Sequence, residues 1–171
     1  MQAIKRIWAG LLARPRRVNL AGAVICSGLV GVAVAIEVFA DMPPCPLCVF
    51  QRVAFLAMSA TLLVGVVVPG RVAGLLTAAA GVGGLSLAGR HLWLQTLPED
   101  QIPACGPGLD YLLGVFPLTD VIAMVLSGSG ECAEVHRVLG VTIPAWTLLG
   151  FLVLGLFFLI FNWRARPSRH P

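Results

Sequence analysis

The sequence predicts an all-α membrane protein, a bundle of four transmembrane helices with one long outer loop. Three observations predict it. Hydrophobic residues make up 58% of the 171, charged residues only 12%, and the mean hydropathy is +0.90. A soluble domain of this size needs far more polar surface. Four apolar runs reach the roughly 20 residues that cross a hydrocarbon core. The charges, finally, alternate by connection. Lys5, Arg6, Arg14, Arg16 and Arg17 precede the first run, Arg71 separates the second from the third, and Arg164, Arg166 and Arg169 follow the last, with no acid in these segments. Asp41, Glu99, Asp100, Asp110, Asp120, Glu131 and Glu134 fall in the other two connections. Lys and Arg retained on one side are the positive-inside bias. The pI of about 9.1 therefore reads as topology and argues against a nucleic-acid surface. The chain is expected to be a single integral membrane domain over residues 1–171, with both termini cytoplasmic and outer loops at about 41–48 and 95–142.

The first span, 18–40, has the basic front of a signal peptide, but its apolar stretch exceeds the usual signal core, so it reads as an uncleaved anchor. The second and third, 49–68 and 72–94, are joined by the tight turn Val68-Pro69-Gly70-Arg71 and form an antiparallel helical hairpin. Ala80, Gly84 and Ala88 line one face of the third span, where small residues let backbones approach closely in lipid. The fourth span covers 143–163. Trp93, Trp146 and Trp163 lie near span ends, as interfacial anchors do. In the long loop, Pro98, Pro103, Pro107 and Pro117 with Gly106, Gly108 and Gly114 exclude a continuous membrane helix. Its apolar stretch 118–126 is too short to span and reads as a helix lying along the outer membrane surface.

The chemistry is carried by the segment MPPCPLCVFQR at the start of the second span and by two further cysteines in the long loop. Cys26, in the middle of the first span, reads as a small buried apolar residue. The other four, Cys45, Cys48, Cys105 and Cys132, fall on the outer side, which in a bacterium-like arrangement is oxidising. The natural partition is Cys45 with Cys48 and Cys105 with Cys132. Three readings compete. Structural staples suit Cys105–Cys132, which would close a long loop, but a disulfide over the short CxxC ring constrains little. A metal site would use the two CxxC thiolates, yet the second pair is no CxxC and there is no soluble fold for an ion to organise, so no metal is expected. Redox exchange uses every feature. A CxxC at a helix start gains thiolate stabilisation from unpaired N–H groups and the helix dipole, and Pro46 fits an early helical position. Arg52, four residues after Cys48 and one turn into the membrane, stands on the same face at a depth where arginine is expensive. It would favour a neighbouring thiolate and negative charge on a bound acceptor. With no flavin, haem or nicotinamide fingerprint, a membrane-soluble quinone fits those demands.

The run Pro44-Cys45-Pro46-Leu47-Cys48-Val49-Phe50-Gln51-Arg52 resembles the P-C-x-L-C-x-x-[Q/E]-R signature of the DsbB disulfide bond formation proteins. Ser129-Gly130-Glu131-Cys132-Ala133-Glu134, then Leu139-Gly140 and Pro144-Ala145-Trp146, resemble that family's second loop cysteine and the start of its fourth helix, and Arg90-His91 with Leu94-Gln95 resembles the end of its third. The similarity runs in order over residues 18–163. It implies an inner-membrane enzyme that reoxidises DsbA, the soluble periplasmic thioredoxin-fold dithiol oxidant, and passes two electrons to ubiquinone or menaquinone. On that resemblance Cys105 receives the attack of reduced DsbA, with Pro103 and Ala104 extended in the partner's groove. Cys132, freed, attacks Cys45, and Cys48 beside Arg52 leaves as a thiolate that forms a charge-transfer adduct with the quinone. His91 would line the quinone site; His136, one turn beyond Cys132, reads as a solvated loop histidine, and Glu37 and Asp41 as ordinary interface charges. Pro46 inside the CxxC stiffens the ring.

A paralogous quinone-linked enzyme serving another thiol partner is the runner-up. A vitamin-K-epoxide-reductase-like enzyme ranks lower, because its CxxC sits late in the bundle. A non-enzymatic membrane adaptor with disulfide-stapled loops would tolerate loss of Cys45 and Cys48.

Overall fold

A computed structural model of the chain describes residues 2–106 and 108–165; Pro107, Arg166 and Arg169, used above, lie outside the described residues. Four long helices dominate: α2 (Pro15–Ala40), α3 (Pro46–Val67), α4 (Arg71–Leu94) and α7 (Ile143–Arg164), each long and apolar enough to cross a membrane. They start up to three residues before the apolar runs do. Proline explains the early starts of α2 and α3, and it also opens α7: Pro15, Pro46 and Pro144 occupy first-turn positions, where a missing N–H costs nothing. Cys48 thereby falls in the first turn of α3. Helix α2 stops at Asp41, whose left-handed backbone (φ 50°) turns its N–H back onto Glu37 O. Gly70 (φ 144°) makes the turn from α3 into α4.

Within the bundle α2 packs on α3, α3 on α4 and α4 on α7. Small residues set the spacing. A methyl at Gly84 would stand 2.3 Å from the Phe151 ring, and one at Gly22 would stand 2.1 Å from Phe158. Phe151 in turn stacks on Phe55, with centroids 3.9 Å apart and planes 15° from parallel. In lipid, such contact and buried polar pairs take the place of hydrophobic drive. Asn19 and Asn162 form one such pair, each amide donating to the other's oxygen at 3.0 and 2.9 Å, with Asn19 also on Gly65 O at 3.0 Å. Cys26 is fully buried among Ala23, Phe55 and Phe151, as a small apolar residue would be.

Two helices are not anticipated by the apolar pattern. Helix α1 (Gln2–Leu12) is too charged and short to register as a span; it is amphipathic and sets Trp8 edge-on to Phe157 and Phe161. Helix α5 (Leu109–Val115) starts directly after Gly108 and takes in Gly114, in only seven residues. Helix α6 (Leu118–Ser127) coincides with the expected short helix. It buries Val121 and Val125, with Leu112 of α5, in a second apolar cluster that holds Leu47, Leu94, Cys45 and Cys132. Arg90 fixes its far end, donating from Nε to Leu126 O at 3.1 Å and from Nη2 to Ser127 O at 2.7 Å while lying over Trp93. The loop closes through a two-stranded hairpin, β1 (Arg137–Val138) and β2 (Val141–Thr142). Its turn residues Leu139 and Gly140 both have positive φ, and the Trp146 indole donates to Val138 O. The loop is thus folded down onto the bundle end where α3 begins.

Candidate active site

Local structure at the start of α3 places the first sulfur. Cys45 is the N-cap residue, and its Sγ accepts the Cys48 backbone N–H at 3.3 Å. The turn that this makes sets Cys45 Sγ and Cys48 Sγ 3.0 Å apart, too far for the bond of about 2.05 Å in a disulfide. Both are thiols here, as are Cys26, Cys105 and Cys132.

Cys132 is the third sulfur of the cluster. The short 3-10 turn Gly130–Ala133 buries it completely, with the Ser129 hydroxyl 3.7 Å from Sγ and the Leu47 N–H directed at it. Its thiol engages Cys45 rather than Cys105. That hydrogen bond, assisted by N–H groups of Ser129 and Leu47 and opposed by burial, holds the Cys132 thiol down at about 5. Cys45, the donor toward Cys132 and Cys48 and itself buried, is pushed far up. Cys105 is exposed, but close by: Gly130 N–H donates to Ala104 O at 3.3 Å, and a methyl at Gly130 would meet Cys105 Sγ at 3.1 Å. Pro103 is half-buried and Ala104 exposed.

His91, on the last turn of α4, is buried beside these sulfurs, with Nε2 3.8 Å from Cys45 Sγ and Cys48 also within its reach. Its other nitrogen, Nδ1, is 3.1 Å from Gln51 Nε2, and Gln51 Oε1 accepts from the Thr147 hydroxyl at 2.5 Å. Direction follows from the inventory of donors. With Oε1 occupied by Thr147, the Gln51 amide donates to Nδ1, so the ring proton sits on Nε2 and points at sulfur. Half-buried Thr147 and buried Gln51, His91 and Cys45 form one chain across three helices.

Arg52 is arranged differently from the expectation that it stands against the Cys48 thiolate. It donates from Nη1 to Glu37 Oε2 at 2.5 Å and from Nη2 to Ala33 O at 3.5 Å. Glu37 is therefore the arginine's counter-charge and not an ordinary interface charge. A lone guanidinium one turn into the membrane would be costly, and α2 supplies the acid that relieves it. Three of the five guanidinium donors remain uncommitted by these contacts, and both Arg52 and Cys48 are only partly buried on one face of α3. His136 meets Glu134 at 3.5 Å in the solvated part of the loop.

The residues that sequence reasoning left without a role are Gln51, Thr147 and Ser129. Gln51 did carry a signal: an uncharged polar residue three positions after Cys48 shares its helix face and must find partners inside the membrane. Thr147 and Ser129 carried none, because only the fold brings them there.

Buried thiols that exchange hydrogen bonds at a helix N-terminus, set in a membrane bundle with a further exposed thiol on the covering loop, define a membrane thiol–disulfide oxidoreductase. Comparison with known proteins agrees. The family model described as Disulfide bond formation protein DsbB matches residues 15–161. Among curated proteins named Disulfide bond formation protein B, that of Chromohalobacter salexigens is 48% identical over 145 residues, covering 80% of this chain and 84% of the relative. Those of Nitrosococcus oceani and Marinobacter nauticus are each 44% identical, covering 82% and 83% of this chain and 87% and 90% of theirs. The chain belongs to the DsbB family, and it is a disulfide oxidoreductase of the membrane.

Proposed function

We propose that the enzyme draws electrons from a DsbA-like periplasmic dithiol protein at Cys105 and delivers them from Cys45 and Cys48 to a membrane quinone. The observation that carries this reading is the position of Cys132, whose thiol lies against Cys45 while Cys105, on the same folded loop, stays open to a partner. One cysteine reaches outward and its partner reaches inward. The cysteine end of the bundle faces the periplasm, which accords with Lys5, Arg6, Arg14, Arg16, Arg17, Arg71 and Arg164 clustering at the other end.

With Cys105–Cys132 and Cys45–Cys48 oxidised, a partner thiolate attacks Cys105, and Cys132 leaves as a thiolate. The extended segment at Pro103 and Ala104 offers backbone to the partner as an added strand would. Cys132 attacks Cys45, the Cys45–Cys48 bond breaks, and Cys48 leaves as a thiolate. The partner's second thiol then resolves the mixed disulfide, releasing the oxidised partner and Cys105. Cys105 recovers Cys132, leaving Cys45 and Cys48 as a dithiol. Two electrons and two protons pass from that dithiol to the quinone, which departs as quinol, and the Cys45–Cys48 disulfide is restored. Each exchange needs a thiolate and a tolerable leaving group, which the Leu47 and Ser129 N–H groups favour at Cys132 and the α3 terminus at Cys48. The free guanidinium donors of Arg52 suit a quinone oxygen, and His91 Nε2–H is placed to hold or move a proton at the sulfurs.

The test is quinone reduction by purified enzyme supplied with a reduced DsbA-like protein. Turnover is expected to vanish in Cys48→Ser and in Cys105→Ser. Undiminished turnover in either variant overturns the reading.

A further inference from the structure

The same cluster that suits electron exchange also has the composition of a metal site. The donor atoms of Cys45, Cys48 and His91 all lie within 4.8 Å of one another. Cys45 Sγ is 3.0 Å from Cys48 Sγ and 3.8 Å from His91 Nε2. Cys132 Sγ engages Cys45 but is not within 4.8 Å of all three, so it has to close in to serve as a fourth donor. Three thiols and an imidazole are the Cys3His set of tetrahedral zinc. Spacing alone argued against it, because only the two CxxC thiolates are legible there; the fold adds His91 and Cys132 from two other segments.

We propose that the fully reduced enzyme captures one thiophilic metal ion, with Zn2+ as the representative, through Cys45, Cys48, His91 and Cys132, and that the captured ion arrests it. Bonds of about 2.3 Å to sulfur and about 2.0 Å to nitrogen at tetrahedral angles put S···S near 3.8 Å and S···N near 3.5 Å. The Cys45–Cys48 spacing has to widen by only about 0.8 Å to meet that. Supporting contacts are present. Cys48 N–H already points at Cys45 Sγ, and the Leu47 and Ser129 N–H groups point at Cys132, so backbone donors are in place to hold two of the ligand sulfurs once the ion has displaced their protons.

Ligation through His91 Nε2 requires the ring proton on Nδ1. The network accommodates that by one rotation of the Gln51 amide. Gln51 Oε1 then accepts from His91 Nδ1–H, and Gln51 Nε2 donates to the Thr147 hydroxyl, whose own proton goes to Pro144 O at 2.9 Å. Gln51 becomes the outer partner that orients a ligating histidine. No electrons move on capture; each ligating thiol surrenders its proton to water. The inhibitory consequence rests on the relay proposed above, since sulfurs committed to an ion neither attack a disulfide nor reduce an acceptor. Binding itself does not depend on that relay. Oxidation to Cys45–Cys48 removes two ligands at once, so capture is confined to the reduced state.

Co2+ is the spectroscopic probe. Reduced wild-type enzyme in detergent is expected to bind one Co2+ with thiolate-to-cobalt charge transfer and tetrahedral ligand-field absorption, both discharged by Zn2+. The air- or quinone-oxidised chain, identical in sequence, should show neither. Cys48→Ser should lose the spectrum and Cys105→Ser retain it, while Gln51→Leu should weaken binding by about 10–100-fold, the usual effect of removing an outer-shell partner. Zn2+ added to the prereduced enzyme should stop acceptor reduction and a chelator should restore it. Absence of charge transfer in the reduced wild type, or an unchanged spectrum in Cys48→Ser, overturns the metal site. A normal cobalt spectrum in an enzyme that Zn2+ does not inhibit overturns the arrest and leaves the relay as the faulty premise.

Discussion

Replacing Gln51 by leucine isolates the buried hydrogen-bond chain from the sulfurs themselves. The side chain is 3% exposed, and leucine fills nearly the same volume without either polar atom. Thr147 keeps Pro144 O as an acceptor at 2.9 Å, so the one group left unpaired is His91 Nδ1. Leaving a buried polar group unsatisfied costs about 1–3 kcal/mol. At about 1.4 kcal/mol per factor of ten, that corresponds to a loss of about 5- to 140-fold if it all falls on the reacting state. It should fall there, because Gln51 fixes which nitrogen of His91 faces Cys45. The assay is steady-state acceptor reduction with the partner protein varied. The expected result is a lower kcat with the KM for the partner unchanged, since Cys105 lies on the exposed part of the loop. Thr147→Val, which spares the contact between Gln51 and His91, should lose less. A folded Gln51→Leu enzyme with kcat within about twofold of wild type would refute the argument that the His91 proton is held for the sulfurs.

Other expectations follow from single contacts. Arg52→Ala should raise the KM for quinone and lower the melting temperature by stranding Glu37; Arg52→Ala with Glu37→Ala should recover stability without recovering KM, and recovery of both would assign Arg52 a purely structural role. Gly84→Ala drives a methyl into the Phe151 ring and should cost about 1–3 kcal/mol, read as a lower melting temperature in detergent. Gly83→Ala meets nothing within 4 Å and should be neutral or stabilising, so equal effects at the two sites would contradict the packing described for α4 and α7. In reduced Cys48→Ser enzyme, the far-ultraviolet absorbance of the Cys132 thiolate should grow as pH rises through about 5 and be missing when Cys132 is also replaced. The depressed value means that the thiolate is the form present at neutral pH; a midpoint near the ordinary thiol value of about 8.5 would contradict it.

The spans were legible because lipid imposes a simple rule, about 20 apolar residues for each crossing, and small residues on α4 told truthfully of close packing. Helix α6 was legible by the same apolar logic. Helices α1 and α5 were not, since one lies amphipathic beside Phe157 and Phe161 and the other takes its shape from docking Leu112 under α6. At the site, spacing revealed Cys45 with Cys48, but only tertiary structure could show Cys132 turning to Cys45 and His91 arriving from α4. The depth of Arg52 singled it out, while the Glu37 that pairs with it sits 15 residues away on another helix, where no local pattern connects them.

The direct test of the relay is a trapping experiment with wild-type enzyme and a DsbA-like partner lacking its resolving cysteine. After acid quench and alkylation, the disulfides are mapped by mass spectrometry. If Cys132 carries the electrons inward, the complex contains a partner–Cys105 bond and a Cys45–Cys132 bond, with Cys48 alkylated. An intact Cys45–Cys48 bond beside an alkylated Cys132 would contradict the account.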